Sequence, residues 1–266
     1  MAHAAVADDR PAPDSSRGRR VAAALAWGSI VLALAAGLGE VMGGVGYRLH
    51  LWGIGTGIRT VGISAMVGSA AVLVALAALF AAWLLGPPRV GVVAAVGLVL
   101  AVVIAGPPML MWREAATLPH IHDISTDTEN PPRFAAVLPL RQGAPNSVEY
   151  SAEVAAQQKQ GYPDLGPLML AQPPARAFDL ADQAARSMGW DIVSVSPPDL
   201  RIEATATTAL FGFKDDVVVR ITPAPQGSRV DVRSVSRVGG SDIGTNAKRI
   251  RAYLAKLQDL SRAGAP

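Results

Sequence analysis

The stretch Val90 to Trp112, VGVVAAVGLVLAVVIAGPPMLMW, contains no charged residue. Coiled as a helix rising about 1.5 Å per residue, it is long enough to cross the roughly 30 Å hydrocarbon core of a bilayer. Two more apolar runs precede it. Val61 to Leu85 is uncharged, and Val21 to Met42 carries a single acid, Glu40. Three transmembrane helices are therefore expected, the third ending near Ile104, where Gly106-Pro107-Pro108 breaks or kinks it. Glu40 is expected to reach the interface from the far end of its span.

Half of the residues are hydrophobic, and the apolar excess sits between Val21 and Trp112. From His120 onward acidic and basic side chains balance, so the net charge of +3 belongs to the membrane half. That placement bears on membrane orientation and excludes nucleic acid as a partner. The chain has no cysteine, which removes disulfides, thiolate metal sites and cysteine nucleophiles.

Residues 1–20, rich in Ala, Pro and Asp, are expected to be a disordered cytoplasmic tail. A basic start, a short apolar core and Ala33-Leu34-Ala35 also match a cleavable signal peptide, but the run continues and two further spans follow. Residues 43–59 make a Gly-rich connection, and Gly86-Pro87-Pro88-Arg89 a tight turn between antiparallel helices. Arg10, Arg17, Arg19, Arg20 and Arg89 fall on one side; Arg48, Arg59 and Arg113 fall on the other. The positive-inside rule then puts the N-terminus in the cytoplasm. The expected organisation is a tail over 1–20, a membrane domain over 21–112, and a soluble domain over 113–266 in the periplasm of a bacterial inner-membrane protein.

The soluble half opens with a Pro-rich extended passage to about Tyr150, followed by a short polar helix, Glu153 to Gln160, and a loop, Pro163 to Pro174. Ala175 to Met188 reads as a helix stopped by Gly189, with Phe178, Ala181, Ala185 and Met188 on one face. Four strands follow: Trp190 to Ser196, Leu200 to Thr207, Asp216 to Thr222 and Arg229 to Val238. Asp242 or Thr245 caps a last helix to about Leu260, with Ala247, Ile250, Leu254 and Leu257 as its stripe. This order predicts a membrane-anchored α+β protein: three transmembrane helices, then a two-layer domain in which helices cover one face of an antiparallel four-stranded sheet. The other face is expected to carry Arg201, Glu203, Arg220, Arg229, Asp231, Arg233 and Arg237 as cross-strand pairs in water.

Several ordered blocks resemble the domain of unknown function 1499 family. They are His122-Asp123-Ile124-Ser125-Thr126-Asp127 with Asn130-Pro131-Pro132; Pro145-Asn146-Ser147-Val148; Phe211-Gly212-Phe213-Lys214-Asp215-Asp216; Val235-Ser236-Arg237-Val238-Gly239; and Ser241-Asp242-Ile243-Gly244-Thr245-Asn246-Ala247-Lys248-Arg249-Ile250. The resemblance covers about residues 118–260. Many members carry a cysteine where Ser147 stands, so any role of that thiol is absent here. It implies an envelope or plastid protein with no agreed reaction.

His120, His122 and Asp123 have metal-ligand types, but the only other histidines are His3 and His50, in the tail and a membrane loop. Asp123, Ser125, Asp127 and Glu129 follow a calcium-loop spacing that fails at Thr128 and Phe134. No G-x-S-x-G surrounds a serine, and Gly239-Gly240 lacks phosphate-loop spacing. No metal, cofactor or catalytic residue is expected. The binding candidates are His122, Asp123, Phe211, Lys214, Asp215, Asp242, Asn246 and Arg249, drawn from the turn after Phe211 and the start of the last helix, where a polar pocket would meet aromatic walls. On that reading Asp215→Ala or Arg249→Ala alters binding with little loss of stability. The expected function is a non-enzymatic binding or interaction domain for an envelope protein or lipid ligand. The alternative is a metal-dependent or other hydrolytic enzyme using His120, His122, Asp123 and Asp127.

Overall fold

The computed structural model describes residues 15–263. They form two compact units, one extending to Leu110 and one beginning at Met111. Helices α1 (Ser15–Arg48), α2 (Ile54–Leu85) and α3 (Pro88–Ala115) supply the first unit, with the last turn of α3 counted in the second. All three are long and apolar enough to cross a membrane, as in a multi-pass membrane protein.

Helix extends further than the apolar runs alone indicate. Residues 1–14 of the expected tail lie outside the described residues; from Ser15 the chain is helical, so Arg17, Arg19 and Arg20 sit on α1. The connection expected over 43–59 shrinks to residues 49–53, because glycines flanked by apolar residues stay helical where no water competes for their backbone. Glu40 is consequently two turns from the end of α1, with Oε1 sheltered and without a hydrogen-bond partner in the described residues. Pro107 and Pro108 lie inside α3 and do not end it. A lost backbone donor is tolerated in an apolar helix whose neighbouring turns keep their bonds.

The first unit packs small residues inward and large ones outward. Ser64, Gly68, Ala71 and Ala75 of α2 and Ala94, Gly97 and Ala101 of α3 are buried. Leu73, Phe80, Trp83 and Val99 are exposed. Helices in lipid gain nothing by hiding leucine, so close backbone approach drives their association. A Cβ built on Gly68 would lie 2.9 Å from Ala105 Cβ on α3 and 3.5 Å from Ala36 Cβ on α1.

The second unit is a six-stranded antiparallel sheet: β1 (Asp123–Ser125), β2 (Leu168–Leu170), β3 (Asp191–Ser196), β4 (Arg201–Thr207), β5 (Lys214–Ala224) and β6 (Gly227–Ser236). The order is β1-β6-β5-β4-β3, and β2 also pairs with β6. The four-strand expectation is corrected to six. β1 binds residues 233–235 of β6 and β2 binds residues 228–230, so they lie end to end along one edge. A Cβ on Gly227, at φ +124°, would come 2.1 Å from the Leu170 carbonyl oxygen, which lets β2 close on this corner.

Helix α4 (Ala152–Gly161) is capped by Ser151, which accepts a hydrogen bond from the Val154 amide. Helices α5 (Pro174–Ser187) and α6 (Thr245–Ala263) cover one sheet face. Strand alternation supplies that core: Ile202 and Ala204 from β4, Val217, Val219 and Ile221 from β5, Val230 and Val232 from β6. Tyr253, fully buried on α6, stacks on Trp190 at 5.2 Å and donates to the Ala181 carbonyl of α5 at 3.0 Å.

Gly68→Leu should overpack the junction of the three helices. We expect a loss of about 1–3 kcal/mol in the stability of the membrane unit, read as a lower melting temperature of the full chain in detergent. An unchanged melting temperature contradicts the packing described.

Candidate functional site

The charged face of the sheet is not wet. Residues 126–150, which hold only one 3-10 turn (Leu138–Arg141), lie across it. Phe134 and Val137 form a second small core with Val218 and Val235. The expected water-exposed ladder is thereby corrected. Glu203, Asp216, Asp231 and Arg233 are buried, because a carboxylate beside a guanidinium can be covered once every oxygen and N–H finds a partner.

Three clusters tie the covering segment to the sheet. Glu203 of β4 accepts from the amides of Ala135 and Val137 at 3.0 Å and pairs with Arg201 at 3.1 Å. Asp216 of β5 accepts from Arg141 at 2.6 Å, from Arg237 at 2.9 and 2.8 Å, and from the Thr205 hydroxyl at 2.7 Å. Burial raises the Asp216 carboxyl, but the bonds from Arg237, Thr205 and Arg141 outweigh it and hold it below the ordinary aspartate range. At the β5–β6 pair, Asp127 and Asp231 share Arg220 and Arg229, with distances of 2.8 to 3.1 Å.

Arg233 is the centre of this face. It grips both oxygens of Asp123 at 2.9 and 2.6 Å and donates to the carbonyls of Pro132 and Val148. Its guanidinium lies 5.1 Å from the Phe134 ring centroid and 5.3 Å from that of Tyr150. Burial raises the Asp123 carboxyl against the pull of Arg233. Above Arg233 opens a cleft of about 460 Å³, lined by Glu129, Pro131, Arg133, Phe134 and Tyr150 among others. A second cavity of the same size shares Glu129, Pro131 and Tyr150 and runs along α4 to Ala155 and Lys159. Together they make one groove between the covering segment and α4.

The candidates from the sequence fall in three places. Asp215, Asn246 and Arg249 come together on the helix side of the sheet. Arg249 donates to Asp215 at 2.6 Å and to Ser234 at 3.0 Å, and Asn246 bonds Ser234, Ser236 and the His122 carbonyl. Asp215 is 3% exposed and the Arg249 side chain 9%, so removing Asp215 would leave a largely covered guanidinium without its carboxylate, and we expect a cost in stability where the sequence reading expects little. Asp242 caps α6 by accepting from the amides of Gly244 and Asn246 at 3.1 and 2.6 Å, and burial raises its carboxyl. Asp123 points to the opposite face, and the His122 ring meets the Gly240 carbonyl at 3.4 Å.

Phe211 and Lys214 belong to the β4–β5 connection. Phe211 stacks on Phe213 at 4.9 Å, and Lys214 begins β5 rather than preceding it. Among the described residues no three His, Asp or Glu side chains are grouped to hold a metal ion. Sequence reasoning missed Arg133, Phe134, Tyr150 and the role of Arg233. The one signal pointing to them was the block spacing from Asp123 to Val148.

Asp215→Ala should lower the stability of the soluble unit by about 3–5 kcal/mol, measured as a urea midpoint followed by proteolysis of the full chain in detergent. Asp216 carries a lowered carboxyl in the fold, so its contribution is present above about pH 4 and is lost as pH falls through the folded value. Arg141→Gln removes one of its partners. We expect a loss of about 2 kcal/mol at neutral pH and a shallower decline of stability toward about pH 3. A decline as steep as that of the unaltered chain contradicts the assignment.

No curated protein matches the sequence. A family model described as a protein of unknown function, DUF1499, matches residues 123–257, from the first residue of β1 into α6. That span takes in the whole sheet, the covering segment and both clefts, and the chain belongs to the DUF1499 family.

Proposed function

We propose that this protein is a non-enzymatic, multi-pass protein of the bacterial inner membrane whose soluble unit binds an envelope partner in the periplasm. The arginine distribution supports a cytoplasmic N-terminus, from which three crossings carry residue 113 onward to the other side. The observation that carries the binding role is the groove over Arg233. Its floor is a guanidinium held between two aromatic rings and fixed by Asp123. Its walls are apolar at Pro131, Phe134 and Leu138 and carry both signs of charge at Glu129, Arg133, Glu149 and Lys159.

Such a site needs little ordering on binding, which favours affinity. Its mixed lining suits an extended polypeptide segment with alternating apolar and charged side chains. Asp123, Glu203, Asp216 and Asp231, four carboxylates beneath the covering segment, are already engaged by arginines or backbone amides.

A photo-reactive amino acid placed at Arg133 or Glu149 in the full chain, expressed in cells, should give a discrete protein adduct. The same group at Lys256 on exposed α6 surface should not. No adduct at 133 and 149, or equal adducts at 256, overturns the reading. A reporter that works only in oxidising surroundings, fused after Pro266, should be active; a silent reporter reverses the orientation.

A further inference from the structure

We infer that Glu40, where the three apolar helices meet, is the carboxylate of a binding site for a single monovalent alkali cation, completed by a backbone carbonyl that proline leaves bare in α3. The site lies wholly within the first unit and goes beyond the binding role of the soluble one.

Helix register fixes what stands around Glu40. Along α1 and α3, Ser29 lies against Gly97, Ala33 clusters with Ala101, and Gly37 lies against Ile104. The two helices thus run in the same direction at a constant offset. The next turn of α1, at Glu40, comes level with Pro107 and Pro108. Helix α2 runs the opposite way: Ala36 meets Gly68, and Gly43 meets Gly57 and Val61. Between these contacts the Ser64 hydroxyl fills the space that a side chain at Gly39 would take, which sets Ser64 at the height of Glu40.

The groups brought to this height are oxygens. An α-helical amide donates to the carbonyl four residues before it, and proline has no amide hydrogen. Pro107 and Pro108 therefore leave the carbonyls of Val103 and Ile104 without their helical donors. Pro108 is buried, so the Ile104 carbonyl, which points along the axis toward it, ends among the helices rather than in lipid. Glu40 Oε1 is sheltered in the same unit and has no hydrogen-bond partner among the described residues, so no basic side chain bonds that oxygen. Ser64, 6% exposed, adds a hydroxyl whose lone pairs are free to face a cation.

Acceptors gathered in an apolar medium are costly without a positive charge between them. One carboxylate with neutral carbonyl and hydroxyl oxygens balances one positive charge. A divalent ion, which draws several carboxylates, would leave excess charge inside the helices. Bare carbonyls at interrupted helices coordinate sodium in membrane transporters, and the same chemistry is present here. Glu40 is eight residues from Arg48, about 12 Å from the end of α1, so an ion need not cross the whole span to reach it.

The test takes the full chain purified in detergent and dialysed against radioactive sodium chloride, with N-methylglucamine chloride holding the ionic strength constant. The unaltered chain should retain one sodium ion per chain. Glu40→Gln keeps the shape of the side chain, removes its charge, and should abolish retention. Pro108→Ala restores an amide donor to Ile104 and should weaken retention several-fold. On the unaltered chain, a hydrophobic carbodiimide should modify Glu40, read by mass spectrometry of its peptide. Sodium should slow that modification several-fold where N-methylglucamine does not. This measurement needs no substitution, so it decides the matter even if Glu40→Gln fails to fold. No retention by the unaltered chain, or equal retention by Glu40→Gln, overturns the site. A carbodiimide result that sodium leaves unchanged overturns it too, and marks a carboxyl that exchanges protons only. Undiminished retention by Pro108→Ala overturns the site as built, because the carbonyl of α3 is then no ligand.

Discussion

The layer of paired charge between the sheet and residues 126–150 is the interaction on which the soluble unit depends. The covering segment forms almost no regular structure, so apart from turn bonds such as that from the Leu140 amide to the Val137 carbonyl its backbone groups do not satisfy one another. Side chains of the sheet do this instead. Glu203 takes the amides of Ala135 and Val137, Arg233 takes the carbonyls of Pro132 and Val148, and Arg237 takes that of Leu140. Taking these charges out of water is costly, and the hydrogen bonds that each makes offset that cost. Such a network offers few alternative arrangements, which holds an irregular segment in one conformation and so preforms the groove over Arg233.

The two units solve opposite packing problems with the same chain. In the soluble unit, large residues such as Tyr253, Ile250 and Phe178 are inside, where burial is favourable. In the membrane unit most buried positions are Gly, Ala and Ser, while Leu, Phe and Trp face outward. The change occurs where Arg113 and Glu114 follow Trp112, the first charges after the uncharged run.

Much of this architecture is legible in the residues. β4 and β6 alternate apolar and charged side chains, and α5 is bracketed by Pro173 and Gly189. β1 and β2 escaped because three residues give no periodicity, and both are set among prolines and turns. The charged face misled for a physical reason. Arg201, Glu203 and Thr205 alternate with Ile202 and Ala204 whether water or an irregular segment covers them, and a segment without periodicity announces nothing about where it lies. Asp215 and Arg249 were recognised as belonging together across thirty-four positions. Their burial, which sets their energetic role, depends on packing that spacing does not encode. Arg133 and Tyr150 carry no local pattern at all, and only the fold brings them to one groove.

Amide hydrogen exchange of the full chain in a bilayer tests most directly whether the covering segment is held as an integral layer of the fold. The amides of Ala135 and Val137, both bonded to Glu203, should exchange as slowly as those of β5 and β6. Exchange of residues 126–150 within seconds, while the sheet stays protected, would show a free loop and contradict the account.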